Sequence, residues 1–273
     1  GKFAGFYQAG VNRISVGIQS FQPHHLKVLG RIHNELQAEN AVKQAHSAGL
    51  PTFNLDLMHG LPEQSVENAM GDLQQGIALN PYHLSWYQLT IEPNTPFYSR
   101  PPALPDDDIL WEIQQRGHEI LEAAGYHQYE ISGYAKHGHQ CQHNLNYWRF
   151  GDYLGIGCGA HGKITDAKKG TIHRTVKVKH PRGYMEISRP YLDTQTQVAE
   201  DDLPFEFFMN RFRLVEPCPI DDFSSFTGLT LPKDVDTALA DAQQQGLLRL
   251  SPSHWQVTDK GRRYLNSLLS CFV

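Results

Sequence analysis

The chain has 273 residues, 40% of them hydrophobic and 19% charged, and a net charge of −5 with neutral histidine. That length supports a sizeable core and about two domains. No apolar run reaches the roughly 18 residues of a membrane helix, and the negative balance argues against nonspecific binding to nucleic acid. The four cysteines, Cys141, Cys158, Cys218 and Cys271, form no CxxC pair. With no secretory segment, a reducing, cytoplasmic setting is expected. The chain opens GKFAGFYQAG, without Met, and is read as a fragment.

Residues 11–21, VNRISVGIQSF, alternate: Ile14, Val16 and Ile18 share one face, and Ser15, Gly17 and Gln19 the other, which predicts a strand. NELQAENAVKQAHSAG predicts a helix through the stripe Leu36, Ala41, Val42, Ala45 and Ala48, ended by Gly49. PTFNLDLMHG predicts the next strand, and SVENAMGDLQQGIAL a helix with Ser65 as its N-cap. HLSWYQLT, residues 83–90, predicts a third strand, and DDILWEIQQRGHEILEAAG a helix closed by Gly125. This alternation predicts an α/β segment, residues 1–127, of parallel strands and crossover helices. A closed barrel fills its interior with branched side chains. The polar face here, Ser15, Gly17, Gln19, Asn54 and Asp56, suggests instead an open barrel that holds a ligand. Asp56 is then expected to point inward at the C-terminal end of its strand.

Residues 128–200 read as an irregular, Gly- and His-rich connecting region, with HQYEISGYAK and TIHRTVKVKH as strands. Residues 201–273 read as a smaller α+β module. Three helical runs (DLPFEFFMNRFRL, IDDFSSFTGL and PKDVDTALADAQQQG) precede a short hairpin and one last helix, a winged-helix-like order. Its basic residues Lys260, Arg262 and Arg263 lie among Asp234, Asp236, Asp241 and Asp259, so packing or partner docking is favoured over nucleic acid.

Three residues of the barrel segment carry candidate chemistry. Gln19 and Asp56 end strands, and Arg31 precedes a helix. A carboxylate can accept both hydroxyls of a ribose, and Arg and Gln can hold a carboxylate or an amide; the plainer reading pairs Arg31 with Asp56. In KHGHQCQHNLNYW, residues His137, His139, Cys141 and His143 share one face of an extended chain. Ligands on one straight strand cannot surround a zinc ion, so a solvated His-rich loop is preferred. GIGCGAHG, residues 155–162, lacks the pattern of a phosphate loop. Its glycines are expected to let the backbone pass close to the barrel mouth, with His161 facing that space or serving as a structural residue.

GVNRISVGIQSF, LGRIH, NLDLMHGLPEQ, LSWYQLTIEPNTPF, YEISGYA, HNLNYWRFGDYLGIG and FFMNRFRL together resemble the radical S-adenosylmethionine (radical SAM) proteins related to oxygen-independent coproporphyrinogen III oxidase. The match is to their HemW-type heme-chaperone branch above all. The resemblance implies a partial (β/α)6 barrel around S-adenosylmethionine and a [4Fe-4S] cluster, with Gln19, Arg31 and Asp56 on the S-adenosylmethionine. The family's CxxxCxxC loop, GGTP-type loop and third-strand Glu have no counterpart here. The chain is therefore read as the second half of the barrel plus the C-terminal module. Its first strand would be an open edge, prone to self-association.

Cluster binding needs closely spaced thiolates, so the cluster is expected only in the intact protein, and whether this chain is an enzyme stays open. The HNxxY element implies heme contact at His143, Asn144 and Tyr147, with His143 as iron ligand and Tyr147, Trp148 and Tyr153 as apolar walls. In the plainer reading His143 and Tyr147 brace a loop. The function implied is to bind heme and pass it to acceptor proteins. The alternatives are radical decarboxylation of coproporphyrinogen III, or a metal- or partner-binding module without heme.

Overall fold

The structure, a computed structural model, describes residues 2–31, 35–186, 188 and 190–272, without the side chains of residues 35, 36, 38 and 39. The predicted helix start at Asn34, the Ile32 and His33 positions of LGRIH and the Leu36 place in the helical stripe lie outside the described residues. The chain forms two compact units, Gly1–Gln140 and Cys141–Val273.

The first unit runs α1 (Lys2–Gln8), β1 (Arg13–Gln19), α2 (Pro23–Val28), α3 (Glu35–Ser47), β2 (Thr52–His59), α4 (Val66–Ala78), β3 (His83–Gln88), α5 (Pro96–Ser99), α6 (Asp107–Ala123), β4 (His127–Gln128) and β5 (Gly133–Ala135). Its strands form one sheet in the order β1-β2-β3-β5-β4. The first three are parallel, and β5 and β4 join antiparallel. The two-residue period sorts the faces. Ile14, Val16, Ile18, Phe53, Leu55, Leu57, Leu84 and Trp86 pack with Val42, Ala45, Leu73 and Ile113 from the helices. The register aligns the opposite face across strands, with Asn54 between Ser15 and His83, and Asp56 between Gly17 and Ser85.

Helix ends follow the predicted signals. Ser65 caps α4 by accepting from the Asn68 N–H, and the Asn68 side chain returns to the Ser65 N–H. Gly49 and Gly125 take φ of 76° and 80° just past α3 and α6.

Three details of this unit differ from the expected pattern. β2 continues to His59, so Asp56 lies inside the strand rather than at its end. The short helix α2 intervenes between Gln19 and Arg31, opened by Pro23, whose fixed φ suits a first turn. It closes with Gly30 at φ 66°: the Gly30 N–H donates to Lys27 O at 3.0 Å and the Arg31 N–H to Leu26 O at 2.9 Å. That paired turn fixes where Arg31 departs. HQYEISGYAK folds back on itself as the β4–β5 pair instead of running straight, with the Tyr129 N–H donating to Gly133 O at 3.1 Å.

The second unit runs α7 (Gln142–Trp148), β6 (His161–Asp166), β7 (Thr171–Lys177), α8 (Pro181–Tyr184), β8 (Leu192–Gln197), α9 (Leu203–Arg211), β9 (Cys218–Pro219), α10 (Ile220–Thr227), α11 (Lys233–Gln244), β10 (Leu248–Leu250), β11 (His254–Val257), α12 (Asp259–Arg263) and α13 (Leu265–Leu269). Two antiparallel three-stranded sheets form, β6-β7-β8 and β10-β11-β9. The core is aromatic: Phe150, Phe207, Phe208, Phe212, Phe223 and Trp255 pack with Leu239, Leu248 and Leu268.

Residues 128–200 are thus more regular than expected. They hold β4, β5, α7 and the sheet β6-β7-β8, and the division between compact units falls after Gln140 rather than at 127 and 200. Tyr264, at φ −111° and ψ 41°, splits the expected last helix into α12 and α13. Among the described residues no helix is long and apolar enough to cross a membrane.

Candidate functional site

Two separate groups of side chains carry the candidate chemistry, one in each unit. In the first, Gln19 sits at the end of β1 with φ 72°, a left-handed backbone uncommon for a residue with a side chain. The ladder shifts register between Gly17 and Gln19. Asp72 of α4 holds the turn beyond, accepting from Ser20 Oγ at 2.6 Å and from the Phe21 N–H at 2.8 Å.

The Gln19 amide Oε1 accepts from the Tyr87 hydroxyl at 2.7 Å. Burial, then the Asp56 charge, push that hydroxyl up; the Arg31 charge and the bond to Gln19 draw it part of the way back. One hydroxyl therefore senses Gln19, Arg31 and Asp56 together. Asp56 is half-buried, with Oδ2 accepting from Ser15 Oγ at 2.8 Å and Oδ1 from Asn54 Nδ2 at 2.7 Å. Gly17 keeps the space between them open: a Cβ there would stand 2.9 Å from Gln19 Nε2 and 4.0 Å from Asp56 Oδ2. An acceptor carboxylate and an amide beside a cradle that a side chain would fill suit the adenosine and methionine ends of S-adenosylmethionine.

Tyr87, Ser85 and His83 are the members of this site that the sequence reading gives no role, whereas Asn54 is already on its polar face. The signal is present in HLSWYQ, where His83, Ser85 and Tyr87 share the parity of the polar face.

In the second unit the HNxxY element is helical. His143 lies exposed in the first turn of α7, with Tyr147 one turn further along the same face. The extended run of His137, His139, Cys141 and His143 on one face is not formed, because Cys141 is the N-cap of α7. The Tyr147 ring packs 5.2 Å from Trp148 and 4.8 Å from Tyr153. The Tyr153 hydroxyl is 3.4 Å from that of Tyr147 and accepts from Arg174 Nη1 at 3.0 Å. Trp148 Nε1 is buried with no acceptor among the described residues, and the Arg213 guanidinium lies 5.2 Å from the Trp148 ring. Arg149 fastens the end of α7 through two bonds to Glu216, at 2.8 and 2.7 Å. An exposed imidazole beside an aromatic patch suits an iron porphyrin.

The glycines of 155–162 serve the second unit itself. A Cβ at Gly155 would meet His161 O at 2.5 Å, and one at Gly162 would meet Thr175 Oγ1 at 2.6 Å, so the close approach is between strand segments. His161 is exposed at the start of β6.

The cysteines do not fit a cluster. Cys141 and Cys218 are buried, Cys158 is exposed and all four are free thiols. Cys218 accepts from Arg211 Nε at 3.2 Å, and burial pushes its thiol up to about 11, away from the thiolate a metal needs. Among the described residues no group of three or more His, Cys, Asp or Glu is placed to hold a metal ion.

Comparison with known proteins gives the family and the fold. Residues 2–73 match the radical SAM superfamily and residues 198–264 the HemN C-terminal domain. The solved structure of coproporphyrinogen III oxidase (HemN) from Escherichia coli, a radical SAM enzyme, superposes with a TM-score of 0.80 at 20% identity, over 99% of this chain and 66% of that one. The fold and the two matched segments make this a radical SAM superfamily chain with a HemN C-terminal domain. Heme chaperone HemW of Escherichia coli (strain K12) is 58% identical over 100% of this chain and 71% of its own length. The proteins of the same name from Haemophilus influenzae and Bacillus subtilis are 54% and 32% identical, over 100% and 97% of this chain and 70% of their own lengths. The chain belongs to the HemW family of heme chaperones.

Proposed function

We propose that the chain binds heme through α7 and passes it to heme-acceptor proteins. The observation that carries this is the exposed His143 on a helix whose neighbours Tyr147, Trp148 and Tyr153 form an aromatic patch, in a family whose relatives are named heme chaperones. His143 supplies the axial nitrogen to the iron. Asn144 and Tyr147 contact the same cargo.

S-adenosylmethionine is assigned to the polar face of the first unit. Asp56 takes the ribose hydroxyls, while Gln19 and Arg31 hold the methionine end, with Tyr87 orienting the Gln19 amide. The bound group would bring a sulfonium and a carboxylate to that face. No step is assigned to a cluster, because the thiols present do not converge. A reducing, cytoplasmic setting accords with four free cysteines, and the edge strand β1 offers a surface for self-association.

Titration with hemin tests the reading. His143→Ala is expected to weaken binding roughly tenfold or more and to shift the Soret band, as loss of an axial ligand should. Unchanged affinity and spectrum would return His143 to a surface role.

A further inference from the structure

A directed line of hydrogen bonds ends on Asp56. The Tyr129 hydroxyl is 2.8 Å from His83 Nε2, and His83 Nδ1 is 2.6 Å from Asn54 Oδ1. Asn54 Nδ2 reaches Asp56 Oδ1 at 2.7 Å and Ser15 Oγ at 2.7 Å. Ser15 Oγ donates in turn to Asp56 Oδ2 at 2.8 Å. With both hydrogens of the Asn54 NH2 so used, Ser85 Oγ, 3.0 Å from that nitrogen, donates to Asn54 Oδ1 at 3.3 Å.

The polarity of this line follows from its end. A carboxylate only accepts, so Asn54 must turn its NH2 toward Asp56. Its carbonyl then faces His83, and Nδ1 of His83 must carry the proton. A neutral ring protonated at Nδ1 accepts at Nε2, and the Tyr129 hydroxyl donates there. Burial, with the Arg13 charge as a lesser cause, pushes the His83 pKa down to about 3, which keeps the ring neutral.

Each oxygen of Asp56 receives one of these bonds. An ionised carboxylate offers about four acceptor directions, so one on each oxygen is left for a ligand. Two hydroxyls on adjacent carbons match that pair.

We propose that His83 is a positioning residue: held between Tyr129 and Asn54 with its proton on Nδ1, it fixes the Asn54 amide and so presents Asp56 to a vicinal diol. The inference rests on the assignment of Asp56 to the ribose of S-adenosylmethionine. A residue that only cemented β2 to β3 would have no bearing on diol selectivity.

The test uses the full chain and two probes, S-adenosylmethionine and its 2′-deoxyribose counterpart, with affinities from calorimetry. The native chain should favour the diol roughly tenfold, the scale of a bond to a charged group. His83→Leu should bring the ratio close to one, and His83→Asn, which keeps a donor toward Asn54, should restore most of it. Asp56→Asn serves as the control. If Asp56→Asn abolishes the preference and His83→Leu does not, the positioning role is overturned and the ribose assignment stands. If the native chain shows no preference, both are overturned. Nitrogen NMR of the unaltered chain gives an independent readout: His83 should appear as the neutral Nδ1–H tautomer between about pH 5 and 8. The opposite tautomer, or a charged ring, would overturn the positioning role even if the Leu variant failed to fold.

Discussion

At the scale of single residues, buried imidazoles make the fold acid-sensitive. Burial holds His25 and His59 down at about 4 and His83 at about 3, with His24 adding to the effect on His25. An unfolded ring takes its proton near 6.5. Below that value the unfolded chain binds more protons than the folded one, so stability falls with pH until the folded values are reached. Each ring contributes a slope of at most about 1.4 kcal/mol per pH unit. Urea unfolding at a series of pH values between about 7 and 5 should show the midpoint falling. His59→Phe should flatten the slope while keeping the contact of its ring with Trp86, 4.3 Å away. Gln19 and Asp56 can be picked out from sequence because polar residues at strand parity break an apolar rule. Tyr129 cannot, since its role depends on a hydroxyl arriving from the β4–β5 pair, which no local period announces.

At the scale of elements, glycines in helices show how tightly layers meet. A Cβ on Gly117 of α6 would stand 1.9 Å from Trp86 Cη2, an indole edge buried on β3, whereas one on Gly71 of α4 would meet nothing within 4 Å. Alanine gains about 1 kcal/mol over glycine inside a helix, while overpacking a core costs about 1–3 kcal/mol. Gly71→Ala should therefore raise the melting temperature and Gly117→Ala lower it, as thermal denaturation of the two variants would show. The same layer explains which elements the sequence announces. β1, α4 and α6 bury one face each, and β2 keeps Phe53, Leu55 and Leu57 at one parity, so their periods are visible. β8, LDTQTQ, is exposed along its length and exists through its pairing with β7. α7 is two turns of polar and aromatic residues with one buried side chain, Leu145, too short and too mixed to declare a helical stripe.

At the scale of the molecule, β1 ends the order of its sheet among the described residues, with β2 on one side. A parallel edge of that kind tends to recruit another strand. Light scattering is expected to show mass rising with concentration, accompanied by slower amide exchange across Arg13–Gln19. Constant mass with unchanged exchange would remove the edge as an association surface. Among the described residues the two cores share none: one gathers Ile18, Leu55 and Trp86, the other Phe207, Phe223 and Trp255. Residues 141–273 expressed alone should thus keep the near-ultraviolet dichroism of a packed Trp255. A protease that cut the chain after Gln140 would then leave the aromatic core of residues 141–273 entire.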